Sequence, residues 1–154
     1  MSRNAYEVRE TTVTARPVAG VRTRIRRGSL ATEFVRHLDL VYAAGKAGVA
    51  SLDGQNIFIY GAAAGDDVDV AFCVGASAPF VASGPVEPLS TPDGVAAVTT
   101  HIGEYRHLGD AHAAIHSWCR ERQRVGTGVS WEVYGHWHPD PALCRTDVYY
   151  LLEG

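Results

Sequence analysis

The chain repeats itself. Moved along by 74 positions, Gly20-Val21 falls on Gly94-Val95, Gly54 on Gly128, and Ile59-Tyr60-Gly61 on Val133-Tyr134-Gly135. Past a longer loop in the second half the shift grows to 78, and Asp69-Val70 falls on Asp147-Val148. A repeat of this kind constrains the fold strongly, because two copies of one unit bury their apolar faces together. The copies run from about residue 5 to 76 and from about 78 to 153, and 154 residues suit one domain with a shared core.

Each copy reads β-β-α-β-β. In the first, residues 6–14 and 18–25 are rich in strand formers. Ser29 stands where a helix N-cap would, with Glu33 in the first turn. Leu30, Phe34, Leu38 and Val41 then keep helical spacing, Val35 and Tyr42 widen the stripe, and Gly45 and Gly48 end it. Strands are expected at 56–60 and 68–74. In the second copy, strand material between 78 and 89 is broken by Gly84-Pro85 and Pro88, and the turn Thr91-Pro92-Asp93-Gly94 leads into a strand at 95–100. A helix from about 106 to 124 carries Leu108, Ala111, Ile115, Trp118 and Cys119 on one stripe, and Gly126 and Gly128 close it. A strand at 128–137 and another at 145–152 complete the copy. The expected fold is α+β: two pseudo-symmetric units forming one antiparallel-sheet domain, with two main helices and a ligand groove at their junction.

The alignment of the copies places Glu132 where the first has Phe58. Alternation along the strand puts Ser130, Glu132 and Tyr134 on one face, with Trp131 and Val133 on the other. A carboxylate that breaks an internal symmetry suggests a site. If buried, it must find a partner, shift its pKa upward or await a cationic ligand. Phe58, Tyr60, Tyr105 and Trp137 are candidates to line the groove with flat apolar faces, whereas Trp118 and Trp131 are assigned to the core.

Other chemistries are weaker. His112 and His116 share a helix face, and His136-x-His138 with Asp140 forms a second cluster, but neither has a third ligand at fixed spacing, so no metal is expected. Gly61-Ala62-Ala63-Ala64-Gly65 lacks a phosphate-binding motif, and no cofactor is expected. Residues 1–36 hold 8 Arg against 3 Glu, while the rest holds 6 basic against 14 acidic residues. Arg22, Arg24 and Arg26 alternate along a strand, which a solvated outer face explains without nucleic acid. Three cysteines without CxxC spacing, no export signal and no apolar run of membrane-spanning length point to a cytoplasmic protein.

His101-Ile102-Gly103-Glu104-Tyr105 looks like an H-x-G-x-Y motif, Trp118 like the W of the following helix, Glu132-Val133-Tyr134 like E-x-Y, and Thr146-Asp147-Val148 like T-E-I. In this order and spacing they resemble the GyrI-like small-molecule-binding family, the effector-binding domain of AraC- and MerR-type regulators. The resemblance covers nearly the whole chain and is more specific in the second half. It implies a groove for aromatic, often cationic compounds, contacted by Glu132 with Tyr134. Asp147 departs from the usual Glu of the last motif, and Glu104 stands where the family often has Pro. The chain shows no helix-turn-helix, so direct DNA binding is not expected, and it resembles stand-alone members. Three roles are open: capture of a small aromatic or cationic ligand; hydrolysis of reactive cyclopropane-bearing compounds with Glu132 as general base; and a gyrase-inhibitor-like protein-interaction module. A homodimer is compatible with all three.

Overall fold

The computed structural model describes residues 6–154. Residues 1–5, which include Arg3 of the basic N-terminal stretch and the start of the first copy, lie outside the described residues. The first copy supplies β1 (Arg9–Val13), β2 (Pro17–Arg26), α1 (Leu30–Lys46), β3 (Leu52–Ala64) and β4 (Asp67–Ala76). The second supplies β5 (Glu87–Ser90), β6 (Gly94–Ile102), α2 (Leu108–Arg122), β7 (Gly126–Tyr134) and β8 (Arg145–Leu152). Among the described residues, all the strands join one antiparallel sheet of eight, in the order β1-β6-β8-β7-β3-β4-β2-β5.

The repeat is written into the pairing. β3 and β7 meet at the centre of the sheet, and Phe58 lies directly opposite Glu132, the residue it matches in the other copy. Ile57 opposite Val133 and Ile59 opposite Trp131 are symmetric about that pair. The pseudo-twofold axis therefore passes between Phe58 and Glu132. At the margins the copies exchange strands: β1 of the first pairs with β6, and β5 of the second pairs with β2. Val13 opposite Gly94 and Gly20 opposite Glu87 are the same contact seen twice.

Two apolar clusters form under the helices. α1 buries Leu38, Val41 and Ala44 against Val70, Phe72 and Val74 of β4. α2 buries Ala111 and Ile115 against Ala97 of β6 and Val148 of β8. A third cluster lies on the far face of the sheet, where Trp131 stacks on Tyr149 beside Ile57 and Cys73. Trp131 is thus core, as its alternation indicates. Trp118 is only half buried at the margin of the second cluster, with the Arg122 guanidinium 4.8 Å above its ring.

Local chemistry explains where the elements end. Gly48, at φ +79°, closes α1: its N–H donates to the Gly45 carbonyl and the Val49 N–H to the Ala44 carbonyl, the Schellman arrangement. Gly45 belongs inside the helix, because a Cβ there would lie 2.6 Å from Leu52. Ser29 does sit at the N-cap position, yet its side chain makes no capping bond, since a 3-10 turn at Arg27–Ser29 runs straight into the helix. α2 likewise starts after a 3-10 turn, Tyr105–His107, and ends at Gln123 in the left-handed region rather than at a glycine. Of the strand material between 78 and 89, only β5 forms; Pro79 and Pro85 have no N–H for a ladder, and Gly84 at φ +56° makes a turn.

The basic stripe of β2 is answered by neighbouring acids. Arg22 pairs with Glu87 of β5 and Arg24 with Asp69 of β4, each through two hydrogen bonds. Among the described residues, no helix is long and apolar enough to cross a membrane, and Cys73, Cys119 and Cys144 are free thiols.

Ile115 is fully buried beneath α2. Its replacement by Ala should lower unfolding stability by about 2–5 kcal/mol, read from the urea midpoint, because the cavity cannot fully collapse. Arg24→Ala, on the solvated face, should leave the midpoint essentially where it is.

Candidate functional site

Between the two helices, over the β3–β7 seam, lies a cavity of about 840 Å³. One wall comes from Leu30 and Phe34 of α1, the other from Tyr105 and the first turns of α2, and Glu132, Phe58 and Tyr134 form the floor. The twist of a β-sheet splays two helices packed side by side on it, and the gap opens where neither covers the central strands.

Glu132 is only 4% exposed, and three hydrogen bonds hold it. One carboxylate oxygen, Oε1, accepts from the hydroxyls of Tyr60 and Tyr134, each at 2.7 Å. Oε2 accepts from Nε2 of His112 at 2.7 Å. The other ring nitrogen of His112 lies 2.6 Å from the Tyr150 hydroxyl. Side chains of β3, β7 and α2 thus converge on a single carboxylate, and β8 holds the histidine from behind. Hydrogen bonds of this charged kind are what make burial of a carboxylate tolerable.

The tyrosines are held as donors. Burial, followed by the charge of Glu132, pushes the Tyr60 and Tyr134 phenols far above their usual value. The Tyr150 phenol is pushed up to about 12 by the same two causes in the same order. None of these hydroxyls loses its proton near neutrality.

Five of the six residues singled out from the sequence line the cavity: Glu132, Tyr134, Tyr105, Phe58 and Trp137. Phe58 and Tyr134 have ring centroids 5.0 Å apart, and Tyr105 meets Tyr134 edge-on at 5.6 Å. Trp137 stands at the rim, 71% exposed. Tyr60 is not among the lining residues: opposite Ser130 in the β3–β7 ladder, it donates its hydroxyl to Glu132.

His112 and Tyr150 complete the network, and no motif or repeat in the sequence marks them for it. His112 shares a helix face with His116, the spacing of a metal pair. Both its nitrogens are instead occupied, by Glu132 and Tyr150, while His116 packs against the Tyr150 ring at 4.9 Å. One signal does point to His112: a buried Glu needs a donor, and this histidine flanks the apolar stripe of α2 one turn after Leu108. In the other histidine cluster, His138 accepts from the Asp140 N–H, and Asp140 caps a short turn by accepting from the Ala142 N–H.

His101 acts at a distance from the cavity. Its Nε2 donates to the Glu104 carbonyl at 2.8 Å, and the Tyr6 hydroxyl lies 2.7 Å from its Nδ1. With Gly103 at φ +133°, a conformation that excludes most side chains, this fixes the bend that delivers Tyr105 to the groove. A second depression of about 540 Å³ lies on the opposite sheet face, but its charged lining, Arg22, Asp69 and Glu87, is already ion-paired.

The same architecture occurs in known proteins, although no curated protein matches the chain in sequence. Among solved structures, the EcmrR C-terminal domain superposes with a TM-score of 0.78 at 17% identity, covering 97% of this chain and 99% of that one. The EcmrR chain in its DNA complex superposes with a TM-score of 0.79 at 16% identity over 96% of this chain, which spans 57% of its length. SAV2435 bound to tetraphenylphosphonium gives 0.68 at 10% identity, covering 96% of this chain and 94% of that one. A hydrolase encoded by lin2189 from Listeria innocua gives 0.59 at 13% identity, covering 96% and 92%. At such identities the likeness is one of fold. The family model for the GyrI-like small molecule binding domain matches residues 6–152, and the chain belongs to that family.

Proposed function

We propose that the groove binds aromatic compounds and prefers those carrying a positive charge. The observation that carries this reading is Glu132, a buried carboxylate on the floor of an aromatic-walled cavity of about 840 Å³. The volume suits a drug-sized ligand. Flat faces of Phe58, Tyr105, Tyr134 and Trp137 contact the rings of an aromatic ligand without a fixed hydrogen-bond code, so they tolerate varied compounds. A cation near such faces gains about 0.5–2 kcal/mol. Its attraction to a desolvated carboxylate adds more, since Coulomb energy rises as the surroundings lose water. The fold shared with SAV2435, whose structure holds tetraphenylphosphonium, supports the choice of ligand class.

A second reading has one observation in its favour. A carboxylate offers about four acceptor positions, and Tyr60, Tyr134 and His112 take three. The fourth suffices for one water. Glu132 would then act as general base, drawing a proton from that water as its oxygen bonds to a carbon of a strained cyclopropane conjugated to an electron-poor dienone ring. The electron pair of the broken C–C bond passes to that ring's oxygen, and a tyrosine hydroxyl stabilises the phenolate that develops there.

Two measurements test these readings. In fluorescence or calorimetric titrations, Glu132→Gln should weaken tetraphenylphosphonium binding by at least about tenfold, the scale of one lost charge interaction in a partly buried site. Uncharged triphenylphosphine oxide should lose much less, and equal losses would defeat the cation preference. With cyclopropane-bearing substrates, Glu132→Gln should slow turnover by about 10²–10⁴-fold if the residue is a general base. Turnover indifferent to the substitution would remove that role.

A further inference from the structure

His112 stands between the groove and two fixed partners. An ionised carboxylate only accepts, so the Nε2 that lies 2.7 Å from Glu132 carries a proton and donates it. The Tyr150 hydroxyl, 2.6 Å from Nδ1, can either donate or accept. With a neutral ring, Tyr150 donates to Nδ1. With a second proton on the ring, Nδ1–H donates to the same oxygen, and the hydroxyl proton turns away. Ser130, opposite Tyr150 in the ladder, is at hand for that turn. The heavy-atom arrangement therefore serves both protonation states.

What does change is charge. Glu132 with neutral His112 carries one negative charge, and Glu132 with an imidazolium carries none. The His112 side chain is 21% exposed and lines the groove, so its proton exchanges with solvent through the ligand's own cavity.

The neighbouring groups leave this role to His112. His116, on the same helix, is held below the usual imidazole range by burial, then by His112 and Arg120. Tyr60, Tyr134 and Tyr150 keep their protons. On β6, His101 has both nitrogens bound, to Tyr6 and to the Glu104 carbonyl. Asp110, on α2, acts on Tyr6. Arg27, Tyr105 and His136 share the cavity lining, but no hydrogen bond joins them to Glu132 among the described residues.

We infer that His112 sets the charge class of the ligand: without its second proton it leaves the charge of Glu132 to attract a cation, and with that proton it neutralises the floor and favours an uncharged aromatic compound. The inference deepens the proposed binding function and rests on it. Coupling is reciprocal, so a bound cation must also expel the proton from His112.

The test uses two probes whose own charge is fixed, tetraphenylphosphonium and triphenylphosphine oxide, in calorimetric titrations at an acid and at an alkaline pH. Tetraphenylphosphonium should bind at least about tenfold more weakly at the acid pH, within the usual range for coupled sites. Triphenylphosphine oxide should bind as well there or better. Near the midpoint, tetraphenylphosphonium binding should release protons, seen as an enthalpy that varies with the buffer's heat of ionisation. His112→Gln, which keeps a donor for Glu132, should abolish both the pH dependence and the proton release. Cation affinity that ignores pH in the natural protein overturns the inference, as does a pH dependence that survives in His112→Gln. If that variant does not fold, Tyr150→Phe removes the Nδ1 partner and must move the pH midpoint; an unmoved midpoint also overturns the inference. No tetraphenylphosphonium binding at either pH would instead bring down the binding function itself.

Discussion

The structure depends on satisfying one buried carboxylate. Glu132 sits in the middle of an eight-stranded sheet, where an unpaired charge would cost several kcal/mol. Tyr60, Tyr134 and His112 meet it from three elements, and Tyr150 holds His112 from a fourth. The same bonds that make Glu132 tolerable fix the spacing of α2 from the central strands. The cavity opens where the apolar contacts of α2, through Ala111 and Ile115, give way to these polar ones.

Duplication made room for this. A twofold axis brings a residue of one copy against its own counterpart, so whatever stands there meets its equivalent at close range. Two glutamates at the seam would repel, and two phenylalanines would fill it. Phe58 against Glu132 gives one apolar and one charged half. Phe58 packs edge-on against Phe72 and tilted against Phe34 and Tyr134, tying the floor of the groove into the first apolar cluster. The asymmetry of the site therefore rests on a symmetric scaffold.

Much of this is legible in the sequence, and the residues show why. The shift of 74 positions is enough to pair Phe58 with Glu132, since equivalent positions in a twofold sheet keep equivalent sequence. Glu132, Phe58, Tyr105, Tyr134 and Trp137 can be gathered from strand alternation, the repeat and the family motifs. Tyr60 falls in the right region, but alternation along a strand gives a face and not the direction of a ring, so its bond to Glu132 is visible only in the fold. Tyr150 escapes such reasoning altogether, and for His112 only the need of a buried Glu for a donor points the way. Their meeting depends on how α2 crosses β8, a distance across the fold that no local spacing encodes. The weak strand β5 is blurred for a different reason, its prolines making a four-residue edge look like loop.

The exchange of edge strands reaches beyond the groove to how the chain acquires its shape. Arg9 must find Val98, and Pro17 must find Ser90, before either sheet margin is covered. Neither copy contains its own outermost strand, so neither can finish its sheet before the other has been synthesised. Such pairing between distant segments makes folding slow and leaves open edges exposed to other chains in the meantime. A nick in the connection between β4 and β5 would give two fragments, each carrying the strand the other lacks. Their reassembly would rebuild, as a two-chain complex, the swapped pair of single units from which a duplicated gene of this form can arise.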